Sequence, residues 1–296
     1  MDYFSCCSLC PRNCMVDRRK TTGFCGANDK IRIGRAALHF FEEPCISGNA
    51  GSGAVFFSSC NLKCVFCQNY EISESNIGKE ISVEKFCDIL LNLQNQGALN
   101  INLVTPTHFV PLIRDGLIMA KNKGLNIPIV YNTSGYESVS TLKMLDGLVD
   151  IYLPDLKYFN DEIALLYSKC PDYFYYASCA IEEMYRQVGK PLFDDDGIMK
   201  KGIIVRHLML PGKFDDSKKV ISYLYDRYHD NIFISIMNQY TPIRELDFSE
   251  LNSCLSRDDY YKMIDYAYDL GIRNCFVQDD GTQKKSFIPN FNTQEF

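Results

Sequence analysis

Three cysteines, Cys60, Cys64 and Cys67, stand at C-x3-C-x2-C in a stretch that runs from Ser59 to Tyr70. An apolar, strand-like run, 54–57, leads directly into them. Thiolates at that spacing on a short loop can converge on one soft metal centre. No fourth cysteine follows closely, since Cys87 falls inside a helical pattern. Three thiolates leave a [4Fe–4S] cluster with one iron that lacks a protein ligand. An open position of that kind is where a substrate or cofactor binds. The plainer alternative is a structural zinc ion that takes a distant fourth ligand.

A second constellation lies upstream, Cys7-x2-Cys10-x3-Cys14-x10-Cys25, with Cys6 beside it. Pro11 and Gly26 flank two of these cysteines, which suits tight knuckle turns. Four thiolates this close in sequence can close a zinc site or hold an iron–sulfur cluster, and composition does not choose between them. The simpler reading is a structural metal, because a four-cysteine site has no open position. Arg12, Asp17 and Arg18 either support that centre or face solvent, and Cys45, on a turn, reads as a small buried or surface thiol rather than a ligand.

The elements that must position these groups follow from periodicity. Ser82 caps a helix over 83–93, and further helices are predicted over 111–121, 138–145, 160–169, 172–188, 216–228 and 257–270. Strands are predicted at 54–59, 100–104, 127–131, 149–153, 202–210, 232–237 and 274–278, with 69–78 as polar loop. Such alternation implies a parallel sheet with crossover helices. The expected fold class is α/β: a partial (β/α)6 TIM-like barrel over 51–296, preceded by a small cysteine-rich module over 1–50. Six or seven β/α units are fewer than the eight of a closed barrel. A 296-residue chain with 46% hydrophobic residues can fill such a core, and its net charge of −6 with no basic run argues against a nucleic-acid surface. No apolar stretch has the length of a membrane span, and the first residues do not read as a signal peptide, so the expected location is the cytoplasm. Seven of the fourteen cysteines fall in two tight groups, which favours metal binding over a disulfide framework.

Functional groups in such sheets gather at the C-terminal ends of the strands. Polar clusters stand there: Thr105-Pro106-Thr107-His108, Asn132-Thr133-Ser134-Gly135-Tyr136, Asp155-Leu156-Lys157, Arg206-His207, and Asn238-Gln239-Tyr240. One such cluster is an ordinary turn. Five at one end, with the cysteine loop at the same end of the first strand, read as a site. Asp155, Lys157 and His108 are the candidate catalytic groups. Their plainer readings are a salt-linked strand end and a packed imidazole.

The cysteine loop, with Phe66 just before the third cysteine, resembles the signature of the radical S-adenosylmethionine (SAM) enzymes. The N-terminal cysteines, with Glu42-Glu43-Pro44-Cys45-Ile46-Ser47-Gly48, resemble a branch similar to pyruvate formate-lyase activating enzyme. The resemblance spans about residues 7–280. It implies a [4Fe–4S] cluster on Cys60, Cys64 and Cys67 that binds SAM, reductive cleavage to a 5′-deoxyadenosyl radical, and hydrogen abstraction from a substrate. It places Phe66 near adenine, Thr105 and Thr107 where the family receives the SAM amino group, and Asn132, Thr133, Ser134, Asp155, Lys157 and Arg206 near SAM. Gln239 and Tyr240 stand where the family has a histidine toward the ribose. In physical terms, Arg206, Lys157 or Thr133 can meet the SAM carboxylate, and Phe66 and Tyr240 can wall the adenine. The implied partner is an electron donor such as flavodoxin or ferredoxin, with no nucleic acid and no membrane. The family-level reaction is activation of a glycyl radical enzyme through a glycyl Cα–H. Radical modification of another protein, a peptide or a small molecule is the alternative, and a non-catalytic metal-binding scaffold the remoter one.

Overall fold

A computed structural model describes residues 2–75, 77–278 and Phe291. The rest of the 51–296 segment's tail lies outside the described residues. The strands are β1 (Ile31–His39), β2 (Ser52–Phe57), β3 (Lys79–Ile81), β4 (Ile101–Val104), β5 (Ile129–Thr133), β6 (Ile151–Pro154), β7 (Leu192–Phe193), β8 (Met199–Leu208), β9 (Phe233–Met237) and β10 (Cys275–Val277). The helices are α1 (Pro44–Ser47), α2 (Tyr70–Ser73), α3 (Val83–Asn95), α4 (Val110–Asn122), α5 (Val139–Leu142), α6 (Asp161–Ser168), α7 (Tyr173–Val188), α8 (Phe214–Tyr228) and α9 (Arg257–Leu270).

One sheet runs β10-β9-β8-β6-β5-β4-β2-β1-β3. The seven strands from β10 to β2 pair in parallel, as the alternation of elements predicts. Residues of β2, β4, β5 and β6 are buried throughout, as in a parallel sheet covered on both faces. Crossover helices start where polar side chains satisfy their first N–H groups. Ser82 Oγ accepts from Lys85 N–H at 3.2 Å, and Asn160 Oδ1 accepts from Glu162 N–H at 2.8 Å.

Two features depart from the sequence expectation. The region before residue 50 contributes β1, which pairs antiparallel with β2 from Ile33↔Phe57 to His39↔Ser52 and with β3. The segment read as polar loop holds α2 and most of the way to β3. Successive strand residues alternate faces, so Val130, Ile151, Leu153 and Ile204 point inward together. Cys45 and Ile46 of α1 pack into that inner cluster and plug the barrel. Asn100 Nδ2 fixes the plug by donating to Ile46 O at 2.7 Å. Among the described residues no helix is long and apolar enough to cross a membrane.

Candidate active site

Above the plug lies a cavity of about 440 Å³, within the size range of small-molecule sites. The cysteine loop forms part of its wall through Cys60, Cys64, Phe66 and Cys67. Ser59 starts the loop with a left-handed backbone, φ 77°, and its N–H is bonded to Ile72 O at 2.8 Å. Further on, Val65 N–H donates to Tyr167 O at 2.8 Å and holds the loop against α6. The sulfurs accept hydrogen bonds. Leu62 N–H lies 3.4 Å from Cys60 Sγ, and Ser168 Oγ lies 3.0 Å from Cys64 Sγ. Burial pushes the Cys64 thiol up to about 11 against the pull of the Lys157 ammonium, and burial also raises Cys60 and Cys67. A metal displaces such protons on ligation.

Facing the loop residues across the lining is a buried ion network. Asp155 accepts from Lys157 Nζ at 2.6 Å and from Arg206 Nε at 3.0 Å. Burial alone would raise the Asp155 carboxyl, but Lys157 and Arg206 outweigh it and hold it below the ordinary range. Burial would likewise lower Lys157, and Asp155 and Cys64 keep it raised. Arg206 also donates to Asn132 Oδ1 at 2.6 Å and to Glu42 Oε2 at 3.3 Å. These protein partners fix the guanidinium at the cavity wall. Lys157 has N–H groups beyond its Asp155 bond. Ser134 is a lining residue, and its hydroxyl is buried without a hydrogen-bond partner. An ammonium and an unpartnered hydroxyl among the residues of one cavity fit a carboxylate.

Phe66 and Tyr240 pack edge to face with ring centroids 6.0 Å apart, and both line the cavity. Thr105, Asn132, Thr133 and Gln239 line it too. Thr105 has φ 59°, a left-handed value that a threonine holds only under constraint. That turn sends the next residues away. Thr107 does not line the cavity; its hydroxyl donates to Glu137 Oε1 at 2.5 Å. His108 does not reach the cavity either. Its Nε2 lies 2.7 Å from Ser58 O, and its ring lines a separate small cavity among the N-terminal cysteines. A 3₁₀ turn over Thr107–Phe109 carries both side chains off the strand end, so neither of these two expected site residues stands with the others in the cavity lining. Cys45 is buried in α1 and lies outside the cavity lining.

Sequence reasoning passed over three acids and an amide. Glu42 and Glu43 enter the cavity from the turn before α1, and burial raises both carboxyls despite Arg206. One oxygen of Glu43 is buried without a hydrogen-bond partner. Glu137 accepts from Thr107, Thr133 and Tyr131, yet burial pushes it up to about 7. Gln278, just past β10, holds Gln239 through an amide pair at 3.0 Å. Gln278 was findable, because it stands at a strand end like the others. The two glutamates lie outside any predicted strand, and their place in the barrel follows only from β1 joining the sheet.

The chain matches the Radical SAM superfamily over residues 54–224, more than half its length. It is 28% identical over 277 residues to an uncharacterized protein of Methanocaldococcus jannaschii, MJ0674, covering 90% of this chain and 75% of that one. A second uncharacterized protein of that organism, MJ0808, is 24% identical over 175 residues, 51% of this chain and 49% of the other. In fold the chain is similar to Streptococcus suis SuiB bound to S-adenosylmethionine, with a TM-score of 0.51 and 14% identity over 75% of this chain. It spans 49% of that protein's length.

Proposed function

The chain belongs to the radical SAM superfamily, and on that footing we propose that its barrel cavity binds SAM beside the Cys60, Cys64 and Cys67 loop and presents it to a hydrogen-donating substrate. A [4Fe–4S] cluster and SAM are the cofactors of this family. When bound, they supply a 5′-deoxyadenosyl radical that takes a hydrogen from the substrate. The remaining work falls to the chain's own residues. Phe66 and Tyr240 wall the adenine, and Gln239, held by Gln278, offers its amide to the ribose. Lys157 and the free Ser134 hydroxyl take the carboxylate. Asp155 keeps Lys157 charged, and Arg206 ties β5, β6 and β8 to Glu42. Thr105 is the residue of its turn that faces the cavity where the amino group is expected.

The observation that carries this reading is that three cysteines, Lys157 and Ser134 with its unpartnered hydroxyl line one cavity. Radical SAM enzymes need a one-electron reductant, and flavodoxin or ferredoxin is proposed for that role, in the cytoplasm. For the substrate we carry forward the glycyl Cα–H of a partner enzyme, on the resemblance of the N-terminal cysteines and of Glu42 to Gly48 to the branch similar to pyruvate formate-lyase activating enzyme. A peptide, another protein or a small molecule is the alternative.

The test is anaerobic reconstitution with iron and sulfide, reduction, and addition of SAM. The wild type is expected to release 5′-deoxyadenosine and methionine, and Cys64→Ala to release neither. Absence of both products from cluster-loaded wild type, or wild-type yield from Cys64→Ala, removes the proposal.

A further inference from the structure

The N-terminal cysteines are not scattered by folding. Cys7, Cys10, Cys14 and Cys25 line a single small cavity, together with Arg12, Arg18 and His108. Three of the four are buried and Cys14 is half-buried. Backbone donors point at the sulfurs: Phe24 N–H lies 3.3 Å from Cys14 Sγ and Ala27 N–H 3.5 Å from Cys25 Sγ. At Gly23 an added Cβ would stand 3.0 Å from Cys14 Sγ, so the chain closes tightly around that sulfur.

The charges around this cavity lack a counterpart. Arg18 is 1% exposed. Its guanidinium donates to the carbonyls of Ala27, His108 and Asn28, and one nitrogen lies 3.8 Å from Cys7 Sγ. Among the described residues no carboxylate pairs with it. A buried cation without an anion is unfavourable, because it loses hydration and gains no opposite charge in return. Four neutral thiols do not offset that charge; four thiolates on a metal do. Two further polar atoms of the same lining, Arg12 Nη2 and Nδ1 of the 2%-exposed His108, are buried without hydrogen-bond partners.

We propose that Cys7, Cys10, Cys14 and Cys25 ligate a second iron–sulfur cluster, with Arg18 as its buried counter-charge. A zinc ion would take the same four thiolates, and inorganic sulfide is present only with the cluster. Each thiol yields its proton on ligation. Because all four irons then carry a protein ligand, this cluster has no open position for SAM. It sits against the first loop: Arg12 Nε donates to Asn61 O, next to Cys60, at 2.9 Å, and Leu9 O accepts from Thr141 Oγ1 at 2.7 Å.

The inference does not depend on SAM chemistry, and its test removes the first cluster. Full-length Cys60→Ala/Cys64→Ala/Cys67→Ala protein is isolated anaerobically from iron-replete cells and assayed for iron, sulfide and zinc. About four irons and four sulfides per chain are expected to remain, with an electron paramagnetic resonance signal on reduction. Zinc without sulfide, or no metal in a folded chain, overturns the proposal. Should the triple variant fail to fold, wild type carries the test: about eight irons per chain support it and about four overturn it. In the triple-variant background, or in wild type if that fails, Arg18→Met is expected to move the reduction potential of the second cluster to a more negative value with iron content unchanged. An unchanged potential removes Arg18 as its counter-charge.

Discussion

At the scale of the residue, the site rests on a few buried polar groups whose partners decide what each can do. Arg206 has three protein partners and Lys157 has one, so Lys157 is the less constrained of the two cations. Lys157→Met is expected to weaken SAM binding by about 10- to 100-fold, the worth of one charged hydrogen bond at about 1.5–3 kcal/mol. The fold is expected to survive, because Asp155 keeps Arg206. Calorimetric titration of SAM into the reconstituted variant checks this, and unchanged affinity takes Lys157 out of the site. Glu137 sets a pH dependence. Its ordinary value near 4.5 is pushed up to about 7 by burial, against the hydrogen bonds of Thr107, Thr133 and Tyr131. Between those values the unfolded chain has lost the proton and the folded chain still holds it, so stability from this group falls as pH rises. The loss is about 3 kcal/mol, complete above pH about 7. Glu137→Gln is expected to match wild type near pH 4.5 and exceed it by up to that amount at pH 8, read from paired urea unfolding curves. A difference that stays flat with pH contradicts the assignment. Thr107 shows why residue types alone mislead here: it has the right chemistry at a strand end, and one left-handed residue, Thr105, turns it toward Glu137 instead.

At the scale of the element, strands and crossover helices were largely legible, because apolar runs bounded by turn residues leave few alternatives for a parallel sheet. Helix 83–93 was found to within its last turn, and Ser82 caps it as its sequence suggests. β1 was not found. Its alternation breaks at Gly34, where the pairing with β2 shifts register between Ile33 and Arg35 and an added Cβ would stand 2.6 Å from Ile72. A bulge of that kind erases the period-two signal. The turn after β5 is fixed by Gly135, with φ 80° and a place for Cβ only 2.3 Å from Asp155 O. That contact is backbone and cannot swing away. Gly147 has nearly the same φ, 77°, with nothing within 4 Å, so Gly147→Ala reports the backbone strain alone. Gly135→Ala is expected to cost about 1–3 kcal/mol more than Gly147→Ala and to weaken SAM binding as Asp155 shifts. Equal melting of the two variants would show that the close approach is not kept in solution.

At the scale of the whole molecule, the sequence pattern divides the chain at residue 50, between the cysteine-rich N-terminal region and the start of the barrel pattern. The pairing of β1 with β2 crosses that line, and so does the plug. Cys45 and Ile46 fill the barrel against Val130, Ile151 and Leu153, and Glu42 reaches Arg206 from the same turn. No local pattern could reveal this, since both contacts join residues far apart in sequence. Their removal has three consequences at once. β2 becomes an open edge with unpaired N–H and C=O groups. The inner cluster loses its apolar cover and opens a cavity. The Arg206 guanidinium and the Asn102 amide lose the Glu42 carboxylate in a buried setting. Each of these costs on the order of 1–5 kcal/mol, and together they reach the whole stability of an ordinary domain. A chain of residues 51–296 is therefore expected to lack a cooperative thermal transition by near-ultraviolet circular dichroism, even where helical signal survives. A shorter deletion, of residues 1–30, keeps β1, the plug and Glu42, and is expected to melt cooperatively at a lower temperature than the full chain. If the 51–296 chain melts as sharply as the full chain, the first fifty residues are an independent module and the barrel needs neither its antiparallel edge nor its plug.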